Sequence, residues 1–400
     1  MSVKPENPSP AYDDWPYWLL VIIPAFAFLS PRFLAFMPGL IAIAGLAVCL
    51  PRHRSFWAFL TRHENYPVFL RNFLGIAALT LCLIFGSLTY SAHPGESFDQ
   101  AVKVFGLLLT STLGLLAVTY MRQNRQVMHM AVTNATKVLV FILGILCVDY
   151  TLGLPLCEWM KTTHLSSGDD FQPSNVNRSM IAVLFFALPL AAYLLLHRKY
   201  RLFAAMIALM LYACFFTHSQ SYIFGLIVAL MSWGLIQLSP KHIIRCTAIA
   251  VAALILMSPV IAHYGFQYIP SGLRDLLRSA YPMMRLEIWY GTAQLIRESP
   301  WLGHSINTFR LQKLPVDQVY LHKTQWLHPH NAALQLWYNF GIFGAVALVG
   351  SIIAIYRAIL RITDHDLQQL AYIMVNTALA VACVSYGLWQ GWWLGTLILS

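Results

Sequence analysis

The chain has 400 residues, 58% hydrophobic and 10% charged, with a mean hydropathy of +0.61 and a formal net charge of +10. No soluble fold of this size buries that much apolar surface, so the composition excludes a water-soluble enzyme and points to an integral membrane protein. The positive residues are scattered between apolar runs instead of forming one basic face, which argues for topology and anionic lipid and against nucleic acid as their partner.

In chain order, the N-terminus MSVKPENPSPAYDDWPYW carries Asp13 and Asp14 where a signal peptide is positive, so the first apolar run reads as a retained helix. Apolar runs follow near 17–30, 33–50, 73–91, 104–120, 131–150, 179–197, 202–217, 221–238, 244–262, 331–355, 367–387 and 389–400. A span needs ~20 residues, so the first, seventh and last are short. The expected fold class is an all-α polytopic membrane protein with about 12 transmembrane helices. Its expected organisation is helices one to nine over 1–262, an outer loop domain over 263–330, and helices ten to twelve over 331–400.

With the N-terminus inside, short inner loops hold Arg52, Arg54, Arg62, Arg71, Arg122, Arg125, Arg198, Lys199, Arg201, Lys241, Arg245, Arg357 and Arg361. Short outer loops hold only Arg32, Lys103, Lys161 and Arg178. That imbalance places both termini in the cytoplasm. Two outer segments then stand out, 151–178 and the much longer 263–330, and a connection of that length in a compact protein is usually functional. Within it, Met283 to Ser299 sets Leu286, Trp289, Tyr290, Ala293 and Ile296 at helical spacing, with Pro282 before and Pro300 after. This reads as an amphipathic helix lying on the outer membrane boundary.

The seven Cys fall mostly in or beside apolar runs and form no CxxC, which argues against a disulfide framework or a structural zinc site. His328-Pro329-His330 has no third ligand at a recognisable spacing, so no metal site is expected. His330, at the point where the long polar loop enters a helix, is either a helix-end anchor or a general base. Asn331 follows it, either to orient the imidazole or to cap the helix. Arg285 opens the loop helix beside Glu287, as a snorkelling residue or a bidentate phosphate clamp. Arg178, at the outer mouth of a span, needs an anionic partner, with Asp169 and Asp170 the plain candidates. Thr217-His218-Ser219-Gln220-Ser221 is a polar turn facing the same side, and Gly341 and Gly344, one turn apart, read as a close helix–helix approach.

His330-Asn331-x9-Gly341-x2-Gly344 after a long outer loop, with Arg285-Leu-Glu-Ile-Trp through Glu298-Ser-Pro-Trp-Leu-Gly303 and Pro173-Ser-Asn-Val-Asn-Arg178, resembles the O-antigen ligase/polymerase superfamily. The resemblance covers roughly 165 to 350. It implies a GT-C-like glycosyltransferase of the bacterial inner membrane, inverting, cofactor-free and metal-independent, with its site facing the periplasm. The implied donor is a glycan on undecaprenyl diphosphate and the implied acceptor the lipid A–core oligosaccharide. O-antigen polymerase and protein O-oligosaccharyltransferase are the related alternatives, and a lipid-linked glycan transporter the non-enzyme one. A transporter, however, calls for facing polar groups at mid-membrane, where the sequence offers Lys137 and a few hydroxyls and amides.

The resemblance implies His330 and Arg285 as catalytic, with Arg178, Asn331, His218, Gln220 and His328 binding substrate. The chain departs from the family at two places. Gln220 stands where an arginine is usual, with His218 as the candidate replacement, and Gly303-His304-Ser305 stands where Gly-x-Gly is usual.

Overall fold

The computed structural model describes residues 15–49, 67–121, 125–162, 176–270, 272, 281–316 and 325–400. The candidate anions Asp169 and Asp170 lie outside them, as does the motif stretch 173–175. Among the described residues, α-helices follow in order: α1 (Trp15–Leu29), α2 (Met37–Cys49), α3 (Val68–Ser87), α4 (Pro94–Met121), α5 (Arg125–Thr151), α6 (Pro155–Thr162), α7 (Asn177–Leu196), α8 (Tyr200–Phe216), α9 (Gln220–Ile236), α10 (Pro240–Gln267), α11 (Tyr281–Glu298), α12 (Ala332–Leu360), α13 (His365–Ala382) and α14 (Gly391–Leu399). No strand occurs among the described residues. The protein is an all-α, multi-pass membrane protein.

Among the described residues, six stretches are long and apolar enough to span a bilayer by themselves: Val68–Tyr90, Pro94–Thr119, Met128–Thr151, Asn177–Leu196, Pro240–Gln267 and Ala332–Leu360. Several of the other runs form shorter helices, with 17 residues each in α8 and α9 and nine in α14. The run at 33–50 opens with a 3-10 turn, Pro31–Ala35, before α2 begins, because the proline fixes a tight start.

The helices cluster into two compact units built from non-contiguous stretches. The first comprises residues 1–66, 109–219 and 398–400. In it α1 packs on α5 and α7, and α5 packs on α8. Residues 180–187 of α7 are buried throughout, and Ser179 Oγ donates to the Phe28 carbonyl at 2.9 Å. The second comprises residues 67–108 and 220–397, with α10 against α11 and α12, α12 against α3, and α9 against α13.

Two backbone breaks shape the second unit. Pro259 inside α10 cannot donate to the carbonyl of Ile255, one turn earlier; Trp337 Nε1 of α12 takes that carbonyl instead, at 2.9 Å. In α12 the helix is interrupted at Gly341 (φ 56°, ψ −144°). The turn after α11 docks into this break: His304 N donates to Tyr338 O (2.7 Å), Ser305 N to Asn339 O (2.8 Å), and Ile342 N to Pro300 O (2.9 Å). A Cβ on Gly341 would fall on the Trp301 carbonyl, and one on Gly344 on the Leu336 oxygen of the same helix. The glycine pair therefore serves a helix break, where the spacing suggested a helix–helix approach. Ser305 sits at φ 71°, with its hydroxyl held by Ser87 Oγ (2.8 Å) and Ser97 Oγ (3.2 Å).

The loop helix α11 is packed into the unit against α10 and α12. Ile288, Ala293, Leu295 and Ile296 join Ala262, Phe309, Leu314, Leu334 and Tyr338 in one buried cluster. Glu287 and Thr292 are buried with them, so Glu287 does not stand beside Arg285 at the surface. Deeper in the unit, polar groups satisfy one another: Tyr356 donates to Asn376 Oδ1 at 2.5 Å, Asn376 Nδ2 to Ser232 at 3.2 Å, and Tyr372 pairs with Thr247 at 2.8 Å. These bonds tie α12, α13, α9 and α10 together.

Candidate active site

The second unit gathers Arg285, His328, His330 and Asn331 around one short segment, residues 383–390 between α13 and α14. Asn331 is the N-cap of α12; its side chain accepts from Leu334 N at 3.1 Å, closing the first turn. His330, just before it, adopts a left-handed backbone (φ 57°) that turns the loop sharply into the helix. Its backbone N–H points at His328 Nδ1, 3.3 Å away, and the two rings lie 4.2 Å apart. Trp326 stands edge-on to the His330 ring at 6.3 Å.

The decisive contact is His330 Nδ1 to the backbone oxygen of Ser385, at 2.5 Å. A carbonyl can only accept, so Nδ1 carries the hydrogen. In the neutral ring Nε2 is then the basic nitrogen, the one able to take a proton. His328, almost fully buried, meets Gln390 Nε2 at 3.1 Å, and Gln390 Oε1 accepts from Trp392 at 2.8 Å. Gly387 lies against the His328 ring so closely that a Cβ there would be 2.9 Å from it. The segment itself is pinned from two other elements: Leu388 N donates to Gln335 Oε1 (2.7 Å) and Gln100 donates to the Trp389 oxygen (3.1 Å).

Arg285, half-buried on α11, lies near the next residue of the same segment. Burial lowers its pKa from the usual arginine range, and nearby Tyr386 pushes it back up. Arginine stays protonated against such a shift, so the group remains a cation. Among the described residues it forms no ion pair. Two polar atoms nearby are buried without hydrogen-bond partners, the Ser385 hydroxyl and the indole N–H of Trp289. Trp289, Leu286 and Asn331 also line one end of an apolar cavity of about 650 Å³ that runs between α9, α10, α12 and α13 to Ser232 and Thr247.

Gln220 is exposed at the start of α9. Arg178 and His218 belong to the first unit; Arg178 is half-buried at the start of α7 and His218 exposed in the turn after α8. Ser385, Tyr386, Gly387 and Gln390 were missed by sequence reasoning. They look like the tail of an apolar run, and their only signal is the polar and glycine interruption SYGLWQG at 385–391.

Residues 205–349 match the family model described as O-antigen ligase. Over that stretch the chain is similar to the O-antigen ligase family. It contains Arg285, His328, His330, Asn331 and the Gly341 break, but not the 383–390 segment on which His330 rests. Relatives include candidate polysaccharide ligases of Rickettsia bellii (27% identical, covering 36% of this chain and 36% of the relative), Rickettsia conorii (26%, 38% and 38%) and Rickettsia felis (25%, 47% and 47%). The matched region thus spans less than half the length of these curated relatives. No solved structure matches the chain.

Proposed function

We propose that this protein transfers an O-antigen glycan from undecaprenyl diphosphate to the lipid A–core oligosaccharide, at the periplasmic face of the inner membrane, with inversion and without a metal. His330 Nε2 takes the proton from an acceptor sugar hydroxyl as the hydroxyl oxygen attacks the anomeric carbon. The bond to the diphosphate breaks, and Arg285 balances the charge that gathers on the departing diphosphate oxygen. The step uses residues of the second unit only.

One observation carries this reading. A histidine whose hydrogen-bond partner fixes Nε2 as its base, and a cation that enters none of the described ion pairs, lie near consecutive residues, Ser385 and Tyr386, of one pinned segment. Two features support the substrate class. The apolar cavity that begins at Asn331 and Trp289 suits a polyprenyl tail, and the orphaned Ser385 hydroxyl and Trp289 N–H are hydrogen-bonding capacity for sugar or phosphate oxygens.

The test is transfer in vitro with purified lipid-linked glycan and core acceptor, with and without EDTA. The reading requires product in both conditions, loss with His330→Ala, and a large drop with Arg285→Lys. Product that appears only as longer lipid-linked polymer makes the protein a polymerase instead. Activity that disappears with EDTA refutes the metal-independent step.

A further inference from the structure

At the far end of the first unit from Asp149, a second group of histidines has no part in this chemistry. His129 near the start of α5 and His197 just after α7 stand edge to face, 4.7 Å apart. Tyr193 hydroxyl is 2.8 Å from His129 Nδ1 and 2.7 Å from Thr133 Oγ1, and Lys199 Nζ donates to the same Thr133 oxygen at 3.0 Å. Lys199 also lies over the Tyr193 ring, 5.7 Å from its centre. Arg198, between His197 and Lys199, is exposed and held in a left-handed conformation (φ 54°).

Among the described residues, no acid pairs with this group. The acidic side chains described in this unit are Asp149 and Glu158, and Asp149 is spent on the N–H groups of Leu156 (2.7 Å) and Cys157 (3.0 Å). His129 and Asp149 are twenty residues apart along one helix, about 30 Å. None of the described ion pairs includes Arg198 or Lys199. The cluster also sits where apolar helix surface ends: Met130, Leu195 and Leu196 beside it are exposed hydrophobics.

We propose that His129, Thr133, Tyr193, His197, Arg198 and Lys199 form a binding site for the phosphate of an anionic phospholipid headgroup at the membrane boundary. Basic pockets between membrane helices suit such headgroups. Here two hydroxyls hold the ammonium and one imidazole in place, which distinguishes a built site from a diffuse positive surface. The adjoining exposed apolar side chains favour lipid over a soluble phosphate, because they offer contact to acyl chains.

The test uses the full-length protein in neutral detergent, titrated with short-chain phosphatidylglycerol, phosphatidylcholine or inorganic phosphate and read by thermal stabilisation. Phosphatidylglycerol should stabilise saturably, and the other two should not. Lys199→Gln should weaken the half-saturating concentration about fivefold. Tyr193→Phe and Thr133→Val, which change no charge, should weaken it by a similar ~5-fold. Arg357→Gln, a basic residue of the other unit, should leave it unchanged. Equal stabilisation by inorganic phosphate overturns the lipid assignment. A wild-type response in both hydroxyl variants, or a loss in Arg357→Gln matching that in Lys199→Gln, overturns the built site.

Discussion

Two pairs of histidines, His328/His330 in the second unit and His129/His197 in the first, show how surroundings assign a role that the residue type leaves open. The rings are similarly close, 4.2 Å and 4.7 Å. His330 faces a backbone carbonyl, which leaves one tautomer and one basic nitrogen, and its partner His328 is buried. His129 is exposed, faces a tyrosine hydroxyl, and keeps company with Lys199 and Arg198 and, among the described residues, no acid. The first arrangement suits proton transfer, where a fixed lone pair matters. The second suits holding an anion, where summed positive charge matters.

The sharpest way to break this contrast is to exchange the consequences. His330→Ala should cost ~10²–10⁴-fold in transfer with normal expression, since it removes the base. The matching variant His129→Ala should leave transfer intact, and equal losses would erase the distinction. Next in size, Arg285→Lys should cost about 10²-fold in turnover, because a point charge cannot reproduce the two-pronged contact to a leaving diphosphate; a small effect would return Arg285 to a snorkelling role.

Gly387→Ala probes the support beneath the first pair. Its Cβ would press on the His328 ring and, through it, shift His330; misplacement on the scale of 1 Å costs about 10²-fold. Transfer should fall while thermal stability barely moves, and the opposite pattern would make the segment a packing element only. The smallest effect is expected at Ser305→Gly. Relief of the left-handed backbone, ~1 kcal/mol, offsets loss of the Ser87 and Ser97 contacts, also ~1 kcal/mol, so melting should hardly change, whereas Ser305→Ala loses the contacts without the relief.

Much of this architecture was legible in the sequence. Apolar runs give the membrane class because hydropathy acts locally, and Asn331 was readable as a cap because a cap needs only its own turn. The helix break at Gly341 was not: glycine at that spacing fits close packing equally well, and only the docking of residues 300–305 decides. The burial of α11 was hidden because Glu287 and Thr292 interrupt its apolar face yet lie inside. The support for His330 was the least legible part. It comes from the Ser385 backbone, 55 residues away, and a carbonyl leaves no mark in a sequence.

The central claim is that Nε2 of His330 accepts the proton of the acceptor hydroxyl. Single-turnover transfer by purified wild type and His330→Ala, at saturating lipid-linked donor and core acceptor, tests it most directly. The account predicts a rate lower by ~10²–10⁴-fold with donor binding unchanged. A His330→Ala enzyme that transfers glycan at the wild-type rate would contradict it.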